Sequence, residues 1–145
     1  MYELKKVAVR LKLKEEPGLY SITPFSTPET AVKEMKEVME EYDTETVCII
    51  NIDTRMRPIN YSIISIGDIN ASLVPIKSIF KAALLSNATS FIILHNHPSG
   101  DPTPSREDIT ATKKLREAGD LMEIKLLDHI IVGNENYYSF AEMEV

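Results

Sequence analysis

An uninterrupted apolar run, Phe91-Ile92-Ile93-Leu94, passes directly into His95-Asn96-His97-Pro98-Ser99-Gly100-Asp101-Pro102-Thr103-Pro104-Ser105-Arg106-Glu107-Asp108, and then into a segment with helical periodicity, Ile109 to Ala118. The apolar run has the length and character of a buried strand. The chain must therefore leave a sheet, turn at Pro98-Ser99-Gly100-Asp101-Pro102 and enter a helix. Side chains alternate along extended backbone, so His95 and His97 point to the same side of the strand end. On the helix, Asp108, Thr112 and Leu115 stand at i, i+4 and i+7, which turns Asp108 inward with the apolar stripe.

Two readings compete for these residues. In the first, two imidazoles and an inward carboxylate converge on a metal ion, three ligands of the types that catalytic zinc uses with a fourth place left for water. An inward carboxylate needs a partner, and a cation is a good one. In the second, Ser105-Arg106-Glu107-Asp108 is a capping box and Pro98 to Pro102 simply a good turn. The first reading is preferred here, and both remain open to the structure.

The 145 residues suit one domain with a single sizeable core. A formal net charge of −6 argues against a generally basic body that neutralises phosphates. The single cysteine, Cys48, excludes an internal disulfide and suits a reducing compartment; within Val47 to Ile50 it reads as core packing, not as a nucleophile. No stretch has the character of a signal peptide or the length of a membrane span, so the expected location is cytoplasmic.

Residues 5–14 alternate apolar and mostly basic positions and predict a half-buried strand, its lysines suited to protecting a sheet edge. Thr27-Pro28-Glu29 starts a helix whose face is Ala31, Met35, Val38, Met39 and Tyr42. Thr44 to Asp53 and Ile59 to Ile66 predict a hairpin around Asp53-Thr54-Arg55-Met56-Arg57-Pro58. A helix follows from about Pro75 to Ser86, with Ile76, Ile79, Phe80, Ala83 and Leu84 inward. After the histidine segment and its helix come a last long strand, Ile124 to Val132, and a short one near Tyr137 to Phe140. Strands alternating with helices predict an α/β sandwich around one mixed sheet. Residues 1–43 are expected to supply the first strand and helix, packed on a unit spanning 44–145.

Hydrolysis at zinc needs a base within reach of the attacking water. The chain has no His-Glu-x-x-His, and it lacks the Pro-Cys-x-x-Cys half of the zinc deaminase signature. Among the available acids Glu45 stands out because it opens a central strand; equally, it ends the acidic run that begins at Glu40. His129, in an apolar strand, reads as a spare ligand, a support for one, or a buried histidine; a supporting or structural role is preferred. Alternation puts Asp128 and His129 on opposite faces, so at most one looks toward the site.

The pattern His95-x-His97, seven residues, Ser105-x-x-Asp108 resembles the JAMM motif of JAB/MPN metalloproteases, and the longer string from His95 to Ser105 is similar to the RadC branch. Further similarity lies in Asn70-Ala71-Ser72-Leu73-Val74, Phe80-Lys81-Ala82-Ala83-Leu84 and Leu127-Asp128-His129-Ile130-Ile131-Val132-Gly133, so the resemblance covers about Thr44 to Glu142. It implies the cytidine-deaminase-like α/β sandwich of JAB/MPN domains. It also implies His95, His97 and Asp108 as zinc ligands, Ser105 as a stabiliser of the oxyanion, and Glu45 as the upstream glutamate. The activity implied is zinc-dependent cleavage of peptide or isopeptide bonds in a protein substrate. The repair label attached to RadC proteins implies the alternative of a DNA-associated accessory protein, for which Lys113, Lys114 and Arg116 are the candidate contacts; a solvated helix face explains them equally well.

Two departures from that branch stand out. Full-length RadC proteins carry an N-terminal helix-hairpin-helix region, whereas residues 1–43 here predict a strand and an amphipathic helix. Before the middle helix the branch has His-Pro-Arg-Glu, and this chain has Pro75-Ile76-Lys77-Ser78. Lysine in place of arginine loses a planar two-pronged donor.

Overall fold

The computed structural model describes residues 1, 3–6, 8, 27–66 and 75–143. Most of the basic strand expected over 5–14 lies outside the described residues, as does the Asn70–Val74 motif. The elements run α1 (Pro28–Glu40), β1 (Thr46–Ile52), β2 (Pro58–Ile66), α2 (Ile76–Leu85), β3 (Ser90–Asn96), α3 (Arg106–Met122), β4 (Lys125–Val132) and β5 (Tyr137–Ser139).

The strands form one mixed sheet in the order β2-β1-β3-β4-β5. β1 pairs antiparallel with β2 and with β3, β3 runs parallel to β4 through the α3 crossover, and β5 returns antiparallel to β4. Both β1 and β3 are buried along their whole length, which explains their unbroken apolar runs. Ala31, Met35 and Met39 of α1 pack on one face, against Cys48, Ile50, Ile92, Leu94 and Ile130. On the other face Ile79, Phe80 and Ala83 of α2 and Leu115 of α3 pack against Val47, Ile49, Phe91 and Ile93. The result is the expected α/β architecture, helices on both faces of one mixed sheet, as in a JAB/MPN domain.

Local signals explain the element boundaries. Thr27 caps α1 by accepting from the Thr30 amide at 3.3 Å, and proline follows at the first helical position. The Asp53 carboxylate closes the hairpin by accepting from the Arg55 and Arg57 amides at 2.8 and 3.0 Å. In α2 one expectation needs correction: Leu84 is 47% exposed, and Ala82 packs on the core instead. Leu84 stands at the edge of the stripe centred on Ile79, Phe80 and Ala83, so a small rotation of the helix turns it out. Between α3 and β4, buried Gly119 lets the chain double back: a Cβ there would meet the Ile124 carbonyl at 2.6 Å.

The sheet also contains a register step that matters for the site. Phe91 pairs with Leu126, but Ile92 pairs with Asp128, so β4 carries one extra residue at that point. From there onward, His129 pairs with Ile93 and Ile130 with Leu94.

Candidate metal centre

The C-terminal end of β3 delivers both histidines. His95 is held in the sheet between Val47 of β1 and Ile131 of β4 and is only 3% exposed. The His97 amide still bonds the Val132 carbonyl at 3.1 Å, after which the chain turns through Gly100, whose φ of 87° suits glycine. Gly133 supports that turn from β4, since a Cβ on it would lie 2.4 Å from the Gly100 carbonyl oxygen.

At the start of α3 the capping box forms, and its aspartate also faces the histidines. The Ser105 hydroxyl accepts from the Asp108 amide at 3.1 Å while Asp108 Oδ2 accepts from the Ser105 amide at 2.8 Å, a complete capping box. The same carboxylate faces the histidines, Oδ1 lying 3.4 Å from His95 Nδ1 and Oδ2 3.2 Å from His97 Nε2. Cap and metal ligand are therefore compatible uses of one side chain.

Glu45 directly precedes β1 and reaches His95 from the other side, its Oε1 2.5 Å from Nε2. Asn96, which the sequence reading passed over, holds this segment. Its Oδ1 accepts from the Thr46 amide at 2.6 Å and its Nδ2 donates to the Thr44 carbonyl at 3.1 Å. An asparagine between two histidines offers no chemistry by itself, and its use becomes visible only when β1 is laid beside β3. Glu45, His95 and His97 each present one ligand atom within 4.8 Å of the others, so this acid too stands close enough to share an ion with the pair. Glu45, His95, His97, Ser105 and Asp108 all line one cavity of about 250 Å³, whose apolar wall includes Val47, Ile79, Ile93 and Leu115.

Counting protons shows what the cluster lacks. His97 Nδ1 lies 2.9 Å from the Asp101 carbonyl, which only accepts, so Nδ1 carries the hydrogen and a neutral ring has its bare Nε2 against Asp108 Oδ2. Burial, above all, lowers the pKa of His95, against the opposing pull of Asp108 and Glu45, so that ring is neutral at pH 7. A neutral imidazole has one N–H, yet carboxylate oxygens face both of its nitrogens. Burial raises the pKa of Asp108, but hydrogen bonds from the Ser105 amide and hydroxyl, with the pull of any positive charge on the two histidines, lower it on balance, leaving an anion. With both rings neutral, acceptors face acceptors around Asp108. A divalent cation resolves this, bringing both carboxylate charges to balance with ligand types that zinc accepts. The residues fit a metal.

Asp128 and His129 divide as alternation requires. Asp128 turns away from the site, accepting from Ser139 Oγ at 2.6 Å and the Ala141 amide at 2.9 Å, while His129 lines the cavity. On the outer surface of α3, Lys113 and Lys114 are exposed. No helix among the described residues is long and apolar enough to cross a membrane. Cys48 is fully buried and its thiol is pushed up to about 12 by burial, as a core residue should be.

A mixed sheet between helices, with paired histidines leaving a strand end beside a helix-capping aspartate, gives an α/β domain with a candidate metal site. Residues 25–145 match the RadC-like JAB domain, and the chain belongs to that family. Among its relatives is a UPF0758 protein of Caldanaerobacter subterraneus subsp. tengcongensis, 41% identical over 92% of this chain and 56% of that protein. A UPF0758 protein of Bacillus cereus is 43% identical over 97% of this chain and 60% of its own length, and one of Methanosarcina mazei is 43% identical over 81% and 52%. The chain thus spans little more than half the length of these relatives.

Proposed function

We propose that this domain is a zinc-dependent hydrolase of amide bonds, cleaving a peptide or isopeptide linkage of a protein substrate. The observation that carries the reading is the convergence at Asp108, where two imidazole nitrogens face its two carboxylate oxygens at 3.2 and 3.4 Å. If His95 donates Nε2–H to Glu45, and His97 is the neutral ring with Nδ1–H on Asp101, then Nδ1 of the first and Nε2 of the second are bare. His95, His97 and Asp108 then form the ligand set, with Glu45 beside it and free of the metal. Zinc, when bound there, supplies a Lewis acid that makes water acidic near neutral pH and polarises a carbonyl.

The remaining steps fall to side chains. Glu45 takes the proton of the attacking water and returns it to the departing amine nitrogen. The Ser105 oxygen accepts from the Asp108 amide while its hydrogen bonds the Asp108 carboxylate; turning about the Cβ–Oγ bond, that hydrogen donates to the oxyanion of the tetrahedral intermediate. The apolar wall of the cavity excludes bulk water and seats part of the substrate.

The test pairs metal analysis of the untagged protein with cleavage of peptide and isopeptide substrates. Stoichiometric zinc is expected, with Glu45→Gln retaining the metal and slowing cleavage by roughly 10²–10⁴-fold, the range for a general base. A zinc-loaded wild type that cleaves no faster than Glu45→Gln overturns the mechanism.

A further inference from the structure

His129 stands on the site side of β4, with its ring stacked between those of His95 and Phe140 (centroids 5.8 and 4.9 Å apart, planes inclined by 23° and 13°). Its Nδ1 lies 2.7 Å from Thr112 Oγ1, and that hydroxyl donates to the backbone carbonyl of Asp108 at 2.8 Å. A threonine hydroxyl has one hydrogen. Since it goes to the Asp108 carbonyl, Oγ1 must accept from His129, and Nδ1 carries the proton. The order is fixed: Nδ1–H to Oγ1, Oγ1–H to the Asp108 oxygen. Nε2 is left bare, and it has no hydrogen-bond partner among the described residues.

A threonine that back-bonds the carbonyl four residues earlier is a common local feature of helices. What distinguishes Thr112 is that its oxygen is also held from β4, by a ring that itself stacks on the histidine His95. The residue whose carbonyl receives this chain is the one whose carboxylate faces both histidines. A buried polar side chain with one satisfied nitrogen and one unsatisfied costs free energy that an apolar residue would not. The satisfied nitrogen is the one that reaches α3.

We propose that His129 is a positioning residue: through Thr112 it fixes the first turn of α3, and with it the Asp108 carboxylate, at the distance from His95 that metal binding requires. This rests on the reading of His95, His97 and Asp108 as metal ligands. His129 touches no reacting atom and acts entirely through Nδ1.

The experiment measures zinc affinity of the full chain by competition with a chromophoric chelator, and the visible spectrum of the Co²⁺-loaded protein. Thr112→Val keeps the branched shape and removes only the hydroxyl, and His129→Leu removes the donor. Each is expected to weaken zinc binding by about 10–100-fold, the usual cost of losing a group that orients a ligand, and Thr112→Val to shift the Co²⁺ bands. The double variant is expected to bind no more weakly than the worse single one, because both cut the same chain. Thr112→Ser, and His129→Asn, whose amide nitrogen stands near the Nδ1 position, are expected to restore wild-type affinity and spectrum. Wild-type affinity in Thr112→Val, or losses that multiply in the double variant, overturns the proposal; should His129→Leu fail to fold, the Thr112→Val and Thr112→Ser pair decides it. A wild type that binds no zinc overturns the metal reading itself, and is thereby distinguished from failure of this inference alone.

Discussion

Two buried polar clusters sit at opposite ends of β1, and they are built on opposite principles. At the far end Asn51 donates to Asn60 Oδ1 at 2.8 Å, and Asn60 donates to Ser86 Oγ at 3.0 Å. Amides and hydroxyls each carry donors and acceptors, so such a network closes almost by itself, with only Asn51 Oδ1 left over. At the near end Glu45 and Asp108 bring acceptors alone, and two imidazoles, if neutral, cannot supply enough hydrogens. The first cluster closes as protein but for that one oxygen. The second is short of hydrogens once both rings are neutral, and a cation would complete it.

The sharpest way to break the comparison is Asp108→Asn, which keeps a cap acceptor for the Ser105 amide but removes a negative charge. Zinc affinity is expected to fall about a thousandfold, the scale of removing one partner from a buried charge pair. Thermal stability of the metal-free protein is expected to hold or rise, because an amide supplies hydrogens where acceptors now face acceptors. Calorimetric titration and melting measure the two effects, and a drop in both would show that the cluster is satisfied without a metal.

Protonation offers a second probe. Burial, foremost, depresses His129 from 6.5 to about 3. The unfolded chain therefore binds a proton on this residue below about 6.5 that the folded chain refuses until about 3. Its contribution is present above that window and is lost as pH falls through it. Metal-free wild type should lose stability on acidification more steeply than His129→Asn; parallel curves from denaturant titrations would contradict this.

Gly133→Ala tests the turn that carries His97. The new Cβ, 2.4 Å from the Gly100 oxygen, cannot be accommodated without moving the turn, at a cost of about 1–3 kcal/mol. Zinc binding should weaken with it. Gly119→Ala, at the α3–β4 junction, should cost similar stability with a smaller effect on zinc, because it strikes the end of α3 remote from Asp108. At the self-satisfied cluster, Asn51→Leu should change stability by no more than about 1 kcal/mol, since Asn60 and Ser86 still bond each other, and should leave zinc affinity unchanged. The smallest effect is a null one: buried Cys48, pushed up to about 12, should not react with a thiol reagent until the protein unfolds.

Much of this arrangement was legible before folding was considered. The period-two placement of His95 and His97 and the helical placement of Asp108 with Thr112 and Leu115 are local geometry, and both appear as expected. The hairpin of β1 and β2 likewise follows from two apolar runs around a turn. Leu84 failed because helical periodicity leaves the edge of a stripe undetermined to within one residue. The capping box and a metal-ligand role need not compete, because a carboxylate has two oxygens and more than two lone pairs, enough to serve a backbone amide and face two imidazoles at once.

What the chain determined alone is therefore the chemistry and its spacing: histidines two apart, a serine and an aspartate three apart, each set by the repeat of its own element. What only the tertiary structure decided is which distant groups meet them. Asn96 secures the segment bearing Glu45 because β1 lies antiparallel to β3. His129 rather than Asp128 faces the cavity where β4, with one residue more than its partner, runs beside β3. Local repeats act over a few bonds and are written in neighbouring residues; strand order and register arise from packing the whole sheet, and no short stretch of sequence contains them.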